Sequence, residues 1–255
     1  MAVVQLRNVS KAFAGRPAVA DVSFSVAEGE TVALVGESGC GKTTTLKMIN
    51  RLIEPDSGEL MLFGEPAEAA PAPLLRRRIG YVFQEIGLFP HLTVAENIGI
   101  TPALLGWDKA RIAARVDALL DMVRLGASRR GAMPGELSGG QRQRVAIARA
   151  LASQPSLLLM DEAFGALDPL TRHDLRSDLK AIQAEAGFAI VLVTHDMAEA
   201  AILGDRILVM QEGRVLQDAA PAELIARPAD DYVAHLLAAP EREAAAFAAA
   251  RRGHG

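Results

Sequence analysis

Residues 36–43, Gly36-Glu37-Ser38-Gly39-Cys40-Gly41-Lys42-Thr43, carry the spacing G-x-x-x-x-G-K-[ST]. Glycines so placed let the main chain turn its N–H groups inward around a phosphate, and a helix starting there adds its positive end. Lys42 would reach the β- and γ-phosphates of a nucleotide, with Thr44 beside the loop, while the Thr43 hydroxyl holds Mg²⁺. Such a loop needs a strand before it and a helix after it. Thr31 to Val35 is a short apolar run of buried-strand type, and Leu46, Ile49, Leu52 and Ile53 recur at helical spacing. In that context a bare glycine-rich turn is the weaker reading. The single cysteine, Cys40, sits where a helix N-terminus favours thiolate, yet reads better as a small filler.

Two further clusters have residue types suited to the same chemistry. Asp161 and Glu162 directly follow the apolar run 157–160, at the end of a strand where open α/β sheets bind ligands. Asp161 can support Mg²⁺ through a coordinating water, and Glu162 can polarise the water that attacks the γ-phosphate. A plain helix-capping acid pair is the alternative, and it weakens beside the phosphate loop. Ser138 and Gln141 form a capping box before a helix containing Val145, Ile147 and Ala148. Gly139 and Gly140 open that backbone to a close ligand, so this helix start is either an ordinary cap or a second anion-receiving end.

The elements that must position these residues alternate. Val22, Phe24 and Val26 alternate as in a half-buried strand, and β character returns over 59–63 after the turn at 55–58. Asp108 can cap a helix whose Ile112, Val116, Leu119, Leu120 and Val123 share a face, ending near Gly126. Beyond residue 137, helical patterns alternate with the buried-type runs 157–160 and 189–193, which predicts a parallel sheet flanked by helices. A terminal hairpin is expected from residues 207–210, Glu212-Gly213 and Val215-Leu216, and an alanine-rich frayed or disordered tail over 240–255.

Composition narrows the functional classes. The chain has 255 residues, half of them hydrophobic, but no run near the roughly 20 residues a spanning helix needs. The start at Met1 has neither a basic leader nor a cleavage pattern, so the expectation is a chain that stays in the cytoplasm. One cysteine excludes an internal disulfide framework, and a net charge of −4 argues against a nucleic-acid partner.

Residues 137–141, Leu-Ser-Gly-Gly-Gln, match the signature of ABC-type ATPases, and the loop at 36–43 and the acids Asp161-Glu162 follow that family's order. The chain resembles that family over nearly its whole length. The resemblance implies an α/β fold, the P-loop NTPase ABC-type nucleotide-binding domain. It has a mixed sheet core, an N-terminal antiparallel β subdomain and an inserted α-helical subdomain at about 85–155, within an ATPase domain over 1–239. It also implies a head-to-tail homodimer in which Ser138, Gly139, Gly140 and Gln141 of one subunit meet the ATP held by Lys42 of the other. Gln84 resembles the Q-loop residue that contacts Mg²⁺ and the attacking water. His195, after a buried-type strand, resembles the switch histidine on the γ-phosphate. Residues 166–169 resemble the D-loop, with Asp168 equally a helix start for Leu175, Leu179 and Ile182. Phe13 resembles the ring that stacks on adenine, with a core position the even alternative.

Longer stretches, TTTLKMINRLIEPDS from Thr43, QEIGLFP from Gln84 and FGALDPLTR from Phe164, look most like ATPases of quaternary-amine osmoprotectant importers. That implies transmembrane permease subunits, a periplasmic or lipid-anchored solute-binding protein, and a peripheral position on the cytoplasmic face of the membrane. Quaternary amines are held in aromatic cages, and with only Trp107, Tyr81 and Tyr232 beyond phenylalanine the cage belongs to another chain. Residues 86–90 are either an apolar permease contact or internal packing. Ala163 stands where the family commonly has proline, after both acids. The resemblance also departs in the tandem regulatory domains that many such ATPases carry, so intrinsic ionic-strength sensing is not expected. A soluble relative working on DNA ends or ribosomes would need long heptad segments or two phosphate loops, and neither pattern occurs.

Overall fold

The computed structural model describes residues 1–165, 167–240 and 242; Ala166 and the rest of the tail read over 240–255 lie outside them. The chain opens with β1 (Ala2–Phe13) and β2 (Arg16–Ala27), antiparallel partners in which Val4 faces Val26, Leu6 faces Phe24 and Val9 faces Val22. Next come β3 (Thr31–Val35) and α1 (Lys42–Ile49). Then β4 (Ser57–Leu62) and β5 (Glu65–Pro66) complete an antiparallel sheet of order β2-β1-β4-β5. A short α2 (Ala72–Arg76) leads into β6 (Ile79–Val82). Three helices follow, α3 (Val94–Leu104), α4 (Lys109–Met122) and α5 (Gly139–Leu151). The chain then re-enters a sheet as β7 (Leu157–Asp161), α6 (Pro169–Ala186), β8 (Ala189–Thr194), α7 (Met197–Leu203), β9 (Arg206–Gln211) and β10 (Arg214–Ala219). It closes with α8 (Pro221–Ala226) and α9 (Asp231–Leu237).

The second sheet has the order β10-β9-β3-β8-β7-β6, parallel except for the edge strand β10. Its central strands are apolar throughout because both faces are covered. Leu157, Leu159, Val191 and Val193 point towards α1 and the antiparallel sheet, packing with Leu46 and Ile49. Leu158, Met160, Ile190 and Leu192 point the other way, onto Val145, Leu175 and Leu179 of α5 and α6. Strand alternation therefore serves two cores with one run of residues. No described helix is long and apolar enough to cross a membrane.

Helix ends follow their sequence signals. Asp108 caps α4 by accepting from the Arg111 N–H at 2.9 Å. Thr93 and Glu96 form a capping box that starts α3, an element the sequence reading did not single out. The hairpin turn is Glu212-Gly213, both at positive φ (48° and 80°), as a two-residue turn between right-twisted strands requires. One element is shorter than its apolar spacing predicts: α1 stops at Ile49, leaving Leu52 45% exposed. The cause is capture of the chain beyond it. The Arg76 guanidinium donates to the Asn50 and Arg51 carbonyls, and Arg51 turns the backbone at φ 50°.

The parallel register puts the strand ends level. Val35 lies beside Thr194, Asp161 beside Val193, and Val82 beside Met160. Everything leaving these ends therefore emerges along one carboxyl edge: residues 36–43 after β3, Gln84 after β6, Asp161-Glu162 at β7 and His195 after β8. The strand order reverses at β3, where such sheets open a crevice.

Candidate functional site

The phosphate loop is shaped by crowding. Gly36 has φ 155°, and a Cβ there would lie 2.1 Å from the Met210 carbonyl oxygen; at Gly41 (φ 106°) it would lie 2.4 Å from that of Ala18. Only glycine lets the loop pass between these strands. Lys42 is buried, and its ammonium donates to the Gly36 and Glu37 carbonyls at 2.7 and 2.8 Å. Among the described residues, the N–H groups of Ser38, Gly39, Gly41, Lys42, Thr43 and Thr44 have no protein acceptor. A buried cation with no carboxylate partner, beside unspent N–H donors at a helix start, is an anion-binding geometry. Cys40 is buried, its sulfur 3.7 Å from the Lys42 ammonium, as a small filler would be.

Long-range hydrogen bonds join this loop to the neighbouring strand ends. The Thr43 hydroxyl donates to Asp161 Oδ1 at 2.8 Å, and Gln84 Nε2 donates to Glu162 Oε2 at 3.0 Å. Burial pushes the Asp161 carboxyl above its ordinary range, opposed by the Thr43 bond. Burial likewise pushes the neighbouring Tyr81 phenol up. A desolvated carboxylate sharing a hydroxyl suits a divalent cation. No cluster of three or more histidine, cysteine or acidic side chains suited to a metal occurs among the described residues. Mg²⁺ needs none, because it takes one or two protein oxygens together with phosphates and water. The residues present fit that mode: the Thr43 hydroxyl and the Asp161 carboxylate lie within a hydrogen bond of each other, and the amide of Gln84 lies on the same edge, so these side chains would hold the ion, Asp161 through a coordinating water.

Glu162 stands in a left-handed conformation, φ 44°, which costs a non-glycine residue about 1–3 kcal/mol. Its N–H donates to the Val193 carbonyl at 2.9 Å, and its carbonyl accepts from Gly165 at 3.2 Å. Phe164, fully buried two residues later, contributes roughly 2–3 kcal/mol and holds the turn against that strain. Ala163 is buried.

His195 Nδ1 lies 3.6 Å from Glu162 Oε2, with the ring largely exposed. Its neighbours are fixed by a network that sequence reasoning missed. Arg176 donates to Asp196 at 2.9 Å, Asp196 caps α7 at the Glu199 N–H, and the Thr194 hydroxyl donates to Glu199 at 2.6 Å. The spacing of Asp196 and Glu199 was the available signal, a helix-start pair directly after the histidine.

The second helix start lies apart from this group. Ser138 and Gln141 make the expected capping box at 3.3 and 3.0 Å. Gly140 packs tightly, since a Cβ there would meet Thr171 at 2.4 Å, whereas a Cβ on Gly139 would meet nothing within 4 Å. Asp168 caps α6 at the Thr171 N–H, and bonds from Thr171 hold its carboxyl below the ordinary range. No hydrogen bond among the described residues links 138–141 or Asp168 to the phosphate loop. Phe13 ends β1 48% exposed, with the Lys11 ammonium 5.7 Å from its ring centroid, so the core alternative falls away. Of residues 86–90, Ile86 and Leu88 pack inward while Phe89 is 40% exposed. Arg149 holds the Ile86 and Gly87 carbonyls, and Asn97 holds those of Phe89, Leu92 and Thr93.

The family model described as ABC transporter matches residues 19–165. The osmoprotectant import ATP-binding protein OsmV of Salmonella typhimurium is 49% identical over 91% of this chain and 62% of its own length. The glycine betaine uptake system ATP-binding protein YehX of Escherichia coli is 48% identical over 91% of this chain and 75% of its own. The glycine betaine/carnitine/choline transport ATP-binding protein OpuCA of Bacillus subtilis is 46% identical, over 92% and 62%. The chain thus spans less than two thirds of the length of several curated relatives. Among solved structures, the dimeric ATP-binding cassette MJ0796 bound to ADP and Pi superposes with a TM-score of 0.78 at 34% identity, covering 86% of this chain and 98% of that one. With its fold, motif order and family match in agreement, the chain belongs to the ABC transporter family of ATP-binding proteins.

Proposed function

We propose that the chain is a Mg²⁺-dependent ATP-hydrolysing subunit that powers import of a quaternary-amine osmoprotectant, such as glycine betaine, carnitine or choline, through a membrane ABC transporter. The observation that carries the ATPase part is the pair of bonds tying the loop to the acids and the acids to Gln84: Thr43 to Asp161 and Gln84 to Glu162. In this reading the phosphates of ATP take the unspent N–H groups of the loop and the charge of Lys42, with Gly36, Glu37, Ser38, Gly39, Cys40, Gly41 and Thr44 shaping the cradle. Bound Mg²⁺ would neutralise charge on the β- and γ-phosphates, held by Thr43, Asp161 and Gln84. Glu162, with one oxygen committed to Gln84, uses the other to take the proton of the attacking water. His195 steadies the γ-phosphate and Phe13 stacks on adenine.

Ser138, Gly139, Gly140, Gln141 and Asp168 act across a head-to-tail homodimer, each cap facing the ATP of the partner. Residues 1–239 form the ATPase unit, with the helical subdomain over about 85–155 inserted in it. Exposed Phe89 lies on the surface that meets transmembrane permease subunits at the cytoplasmic face of the membrane, and a periplasmic or lipid-anchored binding protein supplies the solute. Support for the solute class comes from relatives named for osmoprotectants, glycine betaine, choline and carnitine at 46–49% identity. A relative named for spermidine/putrescine import is 47% identical over 93% of this chain, so the deciding experiment includes polyamines. A host lacking its own uptake systems, given this chain with its genomic permease neighbours, should accumulate labelled betaine, choline or carnitine. Uptake of labelled spermidine alone would overturn the solute assignment.

A further inference from the structure

The phenol of Tyr232 reaches the phosphate loop from the far end of the chain. Its hydroxyl accepts the Glu37 N–H at 3.1 Å. Glu37 is therefore held on both sides of its residue, since its carbonyl accepts the Lys42 ammonium at 2.8 Å and the Cys40 N–H at 3.3 Å. The other loop N–H groups, from Ser38 onward apart from Cys40, find no protein acceptor. Tyr232 thus takes the one donor at the entry of the loop and leaves the remainder for an anion.

The element carrying Tyr232 is built to hold that position. Asp230 caps α9 by accepting the Val233 N–H at 2.9 Å. The turn before it is pinned to β10, where Gln217 donates to the Arg227 carbonyl and accepts from Ala229, both at 2.9 Å. Fully buried Val233 packs with Ala33 and Val35 of β3, the strand that delivers the loop, and Tyr232, Leu236 and Leu237 pack against the same cluster. The helix thus grips the strand while the phenol grips the loop that leaves it.

We propose that Tyr232 is a positioning residue for nucleotide binding, which fixes the Glu37 end of the phosphate loop and couples nucleotide occupancy to docking of α9. This rests on the reading of residues 36–43 as an ATP site. By reciprocity, a helix that favours the binding shape of the loop is itself held more firmly once nucleotide is bound. The experiment compares wild type with Tyr232→Phe, which removes only the hydroxyl. Mg-ATP affinity is measured by calorimetry, KM and kcat by steady-state hydrolysis, and α9 by amide hydrogen exchange with and without Mg-ATP. Loss of one such hydrogen bond should raise Kd and KM roughly two- to tenfold while kcat stays near the wild-type value. Mg-ATP should slow exchange in α9 of wild type and do so less in the variant. An unchanged Kd would overturn the proposal, whatever happens to kcat or to melting temperature; so would equal nucleotide-dependent protection of α9 in both proteins. If wild type itself bound no ATP, the reading of the loop would fail instead, so the two failures are distinguishable.

Discussion

Two helix starts in this molecule both carry glycines and are finished differently, one without a side-chain cap and one with a capping box. At α1 the loop presents N–H groups without protein partners, a buried Lys42 and one hydrogen bond, from Thr43, reaching Asp161. At α5 the capping box of Ser138 and Gln141 pairs the N–H groups of those two residues, those of Gly139 and Gly140 have no acceptor among the described residues, and a Cβ on Gly139 would face open space. The first is preorganised for an anion by its own chain. The second is stable without one, and its glycine at position 139 has no steric reason inside the subunit. An ATP site divided between two chains has this asymmetry: one half holds the ligand, and the other must survive unliganded until a partner brings it.

The largest expected effect falls on the first half. Glu162→Gln should retain ATP binding and slow hydrolysis about 10²–10⁴-fold, accumulating dimers with two nucleotides; light scattering with nucleotide counting checks this, and normal turnover would remove Glu162 as the base. Gly139→Asp tests the second half. It should leave the melting temperature and ATP binding near wild type while hydrolysis drops on the order of 100-fold, because the change obstructs only a partner's phosphate. If ATP binding fell as steeply as turnover, the two halves would not be separate. Gly140→Ala sharpens the contrast within one cap. It should destabilise the subunit by about 1–3 kcal/mol in thermal or denaturant unfolding, since Thr171 occupies the space its Cβ needs, whereas Gly139→Ala should not. The smallest effect belongs to Phe13→Ala: a KM for ATP raised about two- to tenfold with kcat kept, as loss of an exposed stacking ring implies.

Much of the first half was legible in sequence because its signals are local. The run 36–43, the apolar strand at Thr31–Val35 and the acids ending another strand each announce themselves within a few residues. The capping box of Ser138 and Gln141 and the caps at Asp108 and Asp168 were equally local. The length of α1 was not, because Arg76 stops it from a distance of sequence that no periodicity records. The bracket of Arg176, Asp196 and Glu199 behind His195 and the reach of Tyr232 to Glu37 also escaped. These are ordinary residue types whose meaning lies in long-range proximity. Gly139 and Gly140 looked alike as a pair, and only packing separates a glycine required by Thr171 from one facing outward.

The division of the site is tested most directly by mixing two inactive proteins, Lys42→Ala, with its Ser138 end intact, and Gly139→Asp, with its phosphate loop intact. Mixed dimers then contain one site with both halves sound, so an equimolar mixture should recover about a quarter of wild-type hydrolysis if the sites act independently, while each variant alone shows almost none. A mixture no more active than the sum of its parts, with mixed dimers verified by native mass spectrometry, would contradict the account.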